Sequence, residues 1–310
     1  MSGVWISAGF GRTVGQASLQ WLKSLGVSGI RTDIPWGAPL QYRERLLAEL
    51  GELGMGGILI VGGNMEYRNG GEIKKFPRDW RPNTNDIASY AREIALQAAG
   101  YPQSKFYLEL GNEPNLENHG GPLAREPERW GRWIQHVPHH VWETLPDTEI
   151  IAGGICFLNA KSLRYLERAF RSNPGIDSRL IIGLHPYRTD KRADEDTGDL
   201  KALLERFREI IGPRSYAITE IGWHSAPQKT ESILPCKRKE FRFSDEDVAD
   251  FAEWELDFWQ RNGAKLVNWY QLNCGENEFN PEDNYGIRDI DGRAKPVADA
   301  IRRYARGAPT

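Results

Sequence analysis

The stretch that decides the fold runs from residue 106 to residue 114 and reads Phe106-Tyr107-Leu108-Glu109-Leu110-Gly111-Asn112-Glu113-Pro114. A short, mostly apolar run of this kind predicts a buried strand, and the Gly, Asn and Pro that follow it are typical of a turn. Glu113 therefore stands where a buried strand passes into a loop. Partial burial shifts the pKa of a carboxyl group, so Glu113 is a candidate for chemistry.

A second stretch has the same form and reads Tyr216-Ala217-Ile218-Thr219-Glu220-Ile221-Gly222-Trp223. Glu220 again lies at the end of an apolar run, far from Glu113 in the chain. We expect the two carboxylates to meet in one site built from different strands, an arrangement that glycoside hydrolysis uses.

Strand-like and helix-like patterns alternate along the whole chain. The strand-like runs are 4–9, 28–34, 57–62, 105–111, 149–154, 180–185, 215–220 and 265–270. Helical spacing of apolar residues falls between them, as in Leu19, Leu22 and Leu25, and Ser244 is a good N-cap for a later helix. Eight such units predict an α/β fold, a single (β/α)8 TIM barrel that covers residues 1–310 as one domain.

Loop lengths set the polarity of this barrel. Helix-to-strand connections such as Gly54-Met55-Gly56 are tight, whereas the strand-to-helix connections 63–83, 112–125, 221–243 and 271–295 are long. Barrel enzymes carry their sites on the strand-to-helix loops, at the C-terminal ends of the strands.

Composition excludes several classes of protein. A net charge of −3 argues against general attraction to nucleic acid or to an anionic membrane, and no apolar run is long enough to cross a bilayer. Cys156, Cys236 and Cys274 show neither disulfide nor metal-ligand spacing, so no metal and no cofactor are expected. No obligate protein partner is indicated. The first residues lack signal-peptide features, which fits either a cytoplasmic protein or a leader-trimmed secreted one.

The motifs resemble those of clan A glycoside hydrolases, which carry an acid/base on the fourth barrel strand and a nucleophile on the seventh. Asn112-Glu113-Pro114 resembles the clan's Asn-Glu-Pro signature, and Thr219-Glu220-Ile221-Gly222-Trp223 resembles its nucleophile strand. Arg31, His185, Tyr187 and Trp269 also end the strands on which the clan places such residues. The resemblance spans the barrel without selecting one family, since families 5, 39, 53 and 79 all share part of it.

The resemblance implies a retaining mechanism with Glu113 as acid/base and Glu220 as nucleophile. A raised pKa would keep Glu113 protonated near neutral pH. Retention predicts that the two carboxyl groups lie about 5–5.5 Å apart, whereas about 9 Å would indicate inversion.

Four polar residues are predicted to support these carboxylates. Arg31 could hold Glu220 ionised, although a structural ion pair with Asp33 is the alternative. Asn112 could bind the sugar 2-hydroxyl, and His185 and Tyr187 could donate hydrogen bonds to the carboxylates. A satisfied core histidine is the alternative for His185.

Eleven tryptophans suggest sugar-stacking surfaces, because sugar rings present flat C–H faces. Trp269 is expected to be the floor of the subsite for the cleaved sugar, with barrel packing as the alternative. Trp36, Trp223 and Trp80 are candidate platforms on the loops. Weaker candidates for hydroxyl contacts are Asn159, His224, Asn268, Gln271 and Asn273.

The sequence therefore predicts a retaining β-glycoside hydrolase with a carbohydrate substrate, and the long loops favour endo-action. The alternatives are an exo-acting β-glycosidase or transglycosidase, a catalytically inactive glycan-binding barrel, and a metal-dependent hydrolase using Glu113, His185 and Glu220. If the basic loops around Lys74 and Lys237 line the cleft, they favour an anionic sugar; a solvated face is the alternative reading.

Overall fold

The computed structural model describes residues 3–8, 14–34, 38, 40–62, 84–188, 197–225, 243–276 and 280–307, together with the backbone of 66–69 and 72–75. The barrel strands are β1 (Val4–Ser7), β2 (Gly29–Ile34), β3 (Gly56–Val61), β6 (Phe106–Leu110), β7 (Glu149–Cys156), β8 (Ile181–His185), β9 (Tyr216–Ile221) and β10 (Val267–Trp269). They close in the order β1-β10-β9-β8-β7-β6-β3-β2, and all their pairings are parallel. A separate antiparallel hairpin consists of β4 (Glu66–Asn69) and β5 (Glu72–Lys75).

Helices surround the barrel; all but the last of them, which follows the final strand, lie in the connections between its strands. They are α1 (Gln16–Leu25), α2 (Leu40–Leu53), α3 (Thr84–Ala99), α4 (Glu117–Gly120), α5 (Pro127–Trp142), α6 (Ala160–Ser172), α7 (Thr197–Ile211), α8 (Asp245–Arg261) and α9 (Pro296–Ala305). The expected cap is present: the Ser244 hydroxyl accepts from the backbone N–H of Asp247, whose carboxylate accepts in return from the Ser244 backbone.

The predicted (β/α)8 barrel is confirmed, because each of the eight expected runs overlaps one barrel strand. The hairpin was not foreseen; it lies inside the predicted long loop 63–83. The single-domain assignment of residues 1–310 stays a prediction. None of the helices in the described part of the chain combines the length and the apolar character needed to cross a membrane.

The lower interior of the barrel, at the N-terminal ends of the strands, is apolar. It is filled by Trp5, Ile58, Tyr107, Ile151, Ile181, Ala217 and Leu266. The Trp5 indole fits because a Cβ on Gly29 or Gly56 would come within 2.3 or 2.4 Å of its ring. An apolar cluster of this kind stabilises the barrel, and the functional site of such a barrel lies at the opposite end.

The upper interior, towards the C-terminal ends of the strands, is polar. Its buried side chains include Ser7, Arg31, Glu109, His185, Thr219 and Asn268. Buried charges are tolerated only when they are paired. The charged side chains of this layer must therefore form ion pairs and hydrogen bonds with one another.

Candidate active site

Glu113 reaches the cavity through a strained turn after β6. Gly111 has φ +76°, and a Cβ there would lie 2.9 Å from the Trp133 ring, so this position requires glycine. Glu113 itself has φ +44°, a conformation that non-glycine residues seldom adopt outside functional sites.

Glu220 is turned inward by a bulge in β9. Val267 pairs with Ile218, but Trp269 pairs with Ile221, so β9 carries one extra residue. Strict alternation would place neighbouring side chains on opposite faces of the strand. Instead both Thr219 and Glu220 make hydrogen bonds to polar residues of the barrel interior. A bulge re-aims side chains in this way next to active sites.

Arg31 forms a buried ion pair with Glu220. The fully buried guanidinium donates to Glu220 at 2.7 Å, to the Asn112 side-chain oxygen at 2.7 Å and to both Glu109 oxygens at 2.6 and 3.1 Å. Burial lowers the pKa of Arg31, but the charges of Glu109 and Glu220 outweigh this effect and raise it, so Arg31 stays cationic. Its hydrogen-bonded ion pairs are with Glu109 and Glu220, and the charge of Asp33 adds a smaller effect.

Glu109 is a functional residue that the sequence reasoning missed. It lies two residues after Tyr107 on the inward face of β6, is fully buried, and fixes the orientation of Arg31. The signal was present, because a charge inside a buried apolar strand needs a buried partner.

His185 and Tyr187 lie where they were expected. His185 Nδ1 is 3.0 Å from Glu113 Oε1 and 3.8 Å from Glu220 Oε2, while its Nε2 is 3.0 Å from the Thr219 hydroxyl. The Tyr187 hydroxyl donates to Glu220 Oε1 at 2.8 Å. The imidazole therefore lies between the two carboxylates.

The Glu113 carboxylate has three neighbours that lower its pKa. Burial alone raises it, but the hydrogen bond and charge of His185, the charge of His119 and the Cys156 thiol outweigh burial and lower the pKa to about 2. His119 Nε2 is 3.2 Å from Glu113 Oε2. The expectation of a raised pKa is wrong for this arrangement, because it considered burial alone, whereas His185, His119 and Cys156 together lower the pKa of Glu113 by more than burial raises it.

A cavity of about 620 Å³ contains both glutamates. Its described lining consists of Asp33, Asn112, Glu113, Leu116, Asn118, His119, Cys156, Phe157, Tyr187, Glu220, Tyr270, Glu282 and Tyr285. The aromatic surface comes from Phe157, Tyr187, Tyr270 and Tyr285, with no tryptophan among these described residues.

The expected tryptophan platforms need correction. Trp269 and Trp223 are 0% and 1% exposed and do not line the cavity. Trp269 packs outward with Val267 against the helices, whereas the cavity is lined by the next residue, Tyr270. Alternation along β10 could have shown this, since Asn268 faces inward and bonds Ser7. Trp36 and Trp80 lie outside the described residues.

None of the weaker candidates is part of the described lining of the cavity. Asn159 caps α6, and the Asn268 amide donates to Ser7 and to the Thr219 carbonyl. His224, Gln271 and Asn273 are also not part of the described lining.

Glu113, His185 and Glu220 each place one ligand atom within 4.8 Å of the others, a spacing that could hold a metal ion. Both Glu220 oxygens already accept hydrogen bonds, one of them from the Arg31 guanidinium. A cation beside Arg31 would meet a fixed positive charge, so the donor set fits a metal poorly.

The solved structures that are similar to this chain include several glycoside hydrolases. A family 39 enzyme from the gut symbiont Bacteroides cellulosilyticus WH2 matches with a TM-score of 0.67 at 20% identity, over 98% of this chain and 63% of that one. GH5_18 from Streptomyces cattleya, in complex with GlcNAc, gives 0.65 at 17% identity, over 95% and 75% of the two chains. A structure of fungal β-1,4-galactanases gives 0.66 at 14% identity, over 91% and 89%.

These neighbours are clan A glycoside hydrolases, so the resemblance noted in the motifs is confirmed for the fold, with no single family assigned. The chain spans less than two thirds of the length of the family 39 protein. No protein-family model matches the chain, and no curated protein matches it in sequence.

Proposed function

We propose that this protein is a retaining β-glycoside hydrolase that cleaves β-linked oligo- or polysaccharides by double displacement. The observation that carries the proposal is the placement of Glu113 and Glu220 in one cavity, with a carboxylate oxygen of each within 4.8 Å of the other. That spacing supports direct attack on carbon, because an inverting pair must leave room for water at about 6.5–9.5 Å.

Glu220 has the environment of a nucleophile. Arg31 and Tyr187 each donate to one of its two oxygens, which fixes the direction of the carboxylate. In the first step Glu220 attacks the anomeric carbon, the bond to the leaving oxygen breaks, and a covalent glycosyl ester forms.

Glu113 has the environment of a residue that exchanges protons. It delivers a proton to the leaving oxygen in the first step and removes one from the attacking water in the second. Its low pKa suits the second step, and His185 and His119 are the neighbours from which it can regain a proton.

The charge of the described wall supports an uncharged sugar. Asp33, Glu113, Glu220 and Glu282 line the cavity, and His119 is the only basic side chain in its described lining. A sugar carboxylate would be repelled there. The basic loops around Lys74 and Lys237 lie outside the residues whose side chains are described.

We further propose endo-action, supported by the long strand-to-helix loops. An exo-acting enzyme or a transglycosidase is the alternative, and product lengths separate these cases. An endo-acting enzyme releases mixed oligosaccharides early, whereas an exo-acting one releases a single short product.

The test is a panel of aryl β-glycosides and defined β-glycans, with product anomers followed by NMR and a chelator present in parallel. Retention of the β-anomer and full activity in chelator are expected. An initial α-product would overturn double displacement, and loss of activity in chelator would favour a metal-dependent hydrolase.

Two variants separate catalysis from glycan binding. Glu220→Ala should lose roughly 10⁴- to 10⁶-fold in kcat, with partial rescue by azide as a substitute nucleophile. Glu113→Ala should lose about 10²- to 10⁴-fold on substrates with poor leaving groups and much less on activated aryl glycosides. Binding of glycans with no turnover by the unaltered protein would favour the glycan-binding barrel.

A further inference from the structure

Phe157 is an aromatic ring exposed inside the cavity. Among the described residues, the large apolar side chains that remain exposed are Leu40, Leu96, Phe157 and Ile290. Of these four, Phe157 alone lines the cavity and carries an aromatic ring. An exposed ring beside a polar reaction centre offers a flat apolar surface of the kind on which the C–H face of a sugar stacks.

The backbone holds this ring in an unfavourable conformation. Phe157 has φ +61°, which is a genuine outlier for a bulky residue and persists only where the surroundings enforce it. The enforcing contacts are visible: the Phe157 N–H donates to the His185 carbonyl at 2.8 Å, and both backbone groups of Cys156 bond the Asn115 side chain at 2.9 Å.

The same contacts place Phe157 on the acid/base side of the site. Asn115 follows Glu113 by two residues, so it ties the turn that carries Glu113 to the end of β7. Cys156, one residue before Phe157, lines the same cavity as Glu113 and is one of the groups that lower the pKa of that carboxyl. In a retaining site the acid/base protonates the oxygen that leaves with the departing sugar.

We infer that Phe157 is the platform of the subsite that holds the leaving-group sugar. This inference rests on the proposed function. It implies that the natural substrate carries a sugar, not a small aglycone, on the reducing side of the cleaved bond. Phe157 is then a binding residue whose contribution appears only with substrates that extend past that bond.

The test compares two substrates that share the glycone identified by the panel. A β-glycosyl fluoride occupies only the glycone side, whereas the β-linked tetrasaccharide also occupies the leaving-group side. Phe157→Ala should lower kcat/KM for the tetrasaccharide about 10- to 100-fold, the equivalent of exposing one Phe side chain, and leave the fluoride within about twofold. Phe157→Tyr should retain activity on both.

Phe157→Gly separates a binding role from a structural one. Glycine accepts positive φ without strain, so this variant should melt at a higher temperature than Phe157→Ala while showing the same loss on the tetrasaccharide. The inference is overturned if Phe157→Ala cleaves the tetrasaccharide as well as the unaltered protein does, or if both substrates suffer equally.

Failure of the proposed function gives a different result. If the unaltered protein turns over nothing in the panel, the β-glycans of the panel are titrated by calorimetry into that protein and into Phe157→Ala. Weaker binding by the variant supports the platform, and equal binding or none overturns it.

Discussion

The upper and lower halves of the barrel interior are built on opposite principles. The lower half is an apolar plug centred on Trp5 and Tyr107, whose rings meet edge to face at 5.6 Å. The upper half places the fully buried Arg31 between the carboxylates of Glu109 and Glu220.

The difference separates stability from function. Apolar burial in the lower half stabilises the fold through an interaction that, unlike a hydrogen bond, does not depend on direction. A buried charge network contributes little net stability over apolar packing, but it fixes the positions of the groups it connects. The upper half therefore keeps polar side chains where they hold two carboxylates at a defined spacing.

The largest effect is expected from Arg31→Met in the upper half. It leaves Glu109 buried without its cation, which should lower the free energy of unfolding by about 3–5 kcal/mol. It also removes a donor to Glu220, which should reduce kcat by about 10²- to 10³-fold. Urea unfolding and kinetics measure the two losses.

The double variant Arg31→Met/Glu109→Gln tests the comparison most directly. Removing the unpaired charge should recover much of the stability but none of the activity. If stability and activity recover together, the loss of stability and the loss of activity in Arg31→Met do not have the separate causes described above.

Trp5→Ala in the lower half should produce the reverse pattern. Removing this buried indole should cost about 3–5 kcal/mol of stability, while kcat per folded molecule stays within about twofold. Trp254→Ala, which removes a partly buried indole of α8 stacked on Phe258, serves as a matched control with a smaller loss. A large fall in kcat for folded Trp5→Ala would contradict the separation of the two halves.

Asp33 should make the upper half less stable as pH rises. Burial and the charges of Glu109 and Glu220 outweigh Arg31 and raise the pKa of Asp33 from 3.8 to about 7. A carboxyl with a raised pKa gives stability that is full below pH 3.8 and is lost as pH rises towards 7.

Asp33→Asn should therefore gain stability relative to the unaltered protein by a few kcal/mol more at pH 8 than at pH 4.5. Urea unfolding at both pH values measures the gain. The lower pH value, 4.5, is still above the pKa of Glu113. An equal difference at both pH values would show that Asp33 titrates normally.

The smallest effect is expected at His119, above the upper half. Its charge lowers the pKa of Glu113, so His119→Asn should raise that pKa and move the alkaline limb of kcat/KM to higher pH. Melting temperature should hardly change, since the His119 side chain is one-third exposed. His140→Asn, on α5, is the matched control, and a shift of the limb to lower pH would contradict the assignment.

Much of the fold could be predicted because each strand–helix unit has its own signals in the local sequence. Short apolar runs predicted the eight strands, and Ser244 predicted the start of α8. The tight connections after helices indicated which end of the barrel carries the site. The pairing of Arg31 with Glu220 and of His185 with Glu113 was expected from motif resemblance and is present.

Other parts of the site depend on which way a side chain points. Trp269 looked like a sugar platform, but it lies on the outer face of β10, and Tyr270 lines the cavity instead. His119 and Phe157 carry no local pattern that marks them, since they enter the cavity from segments beyond the strand ends. Cys156 is the last residue of β7, past the end of the predicted run 149–154.

The sequence by itself determined the barrel and the positions of Glu113 and Glu220 along it, because strand periodicity and turn residues are local properties. Only the tertiary structure decided that Glu109 would fix Arg31, that a bulge would turn Glu220 inward and that imidazoles would lower the pKa of Glu113. These features arise between segments far apart in the chain, where burial and charge depend on neighbours that local pattern does not identify.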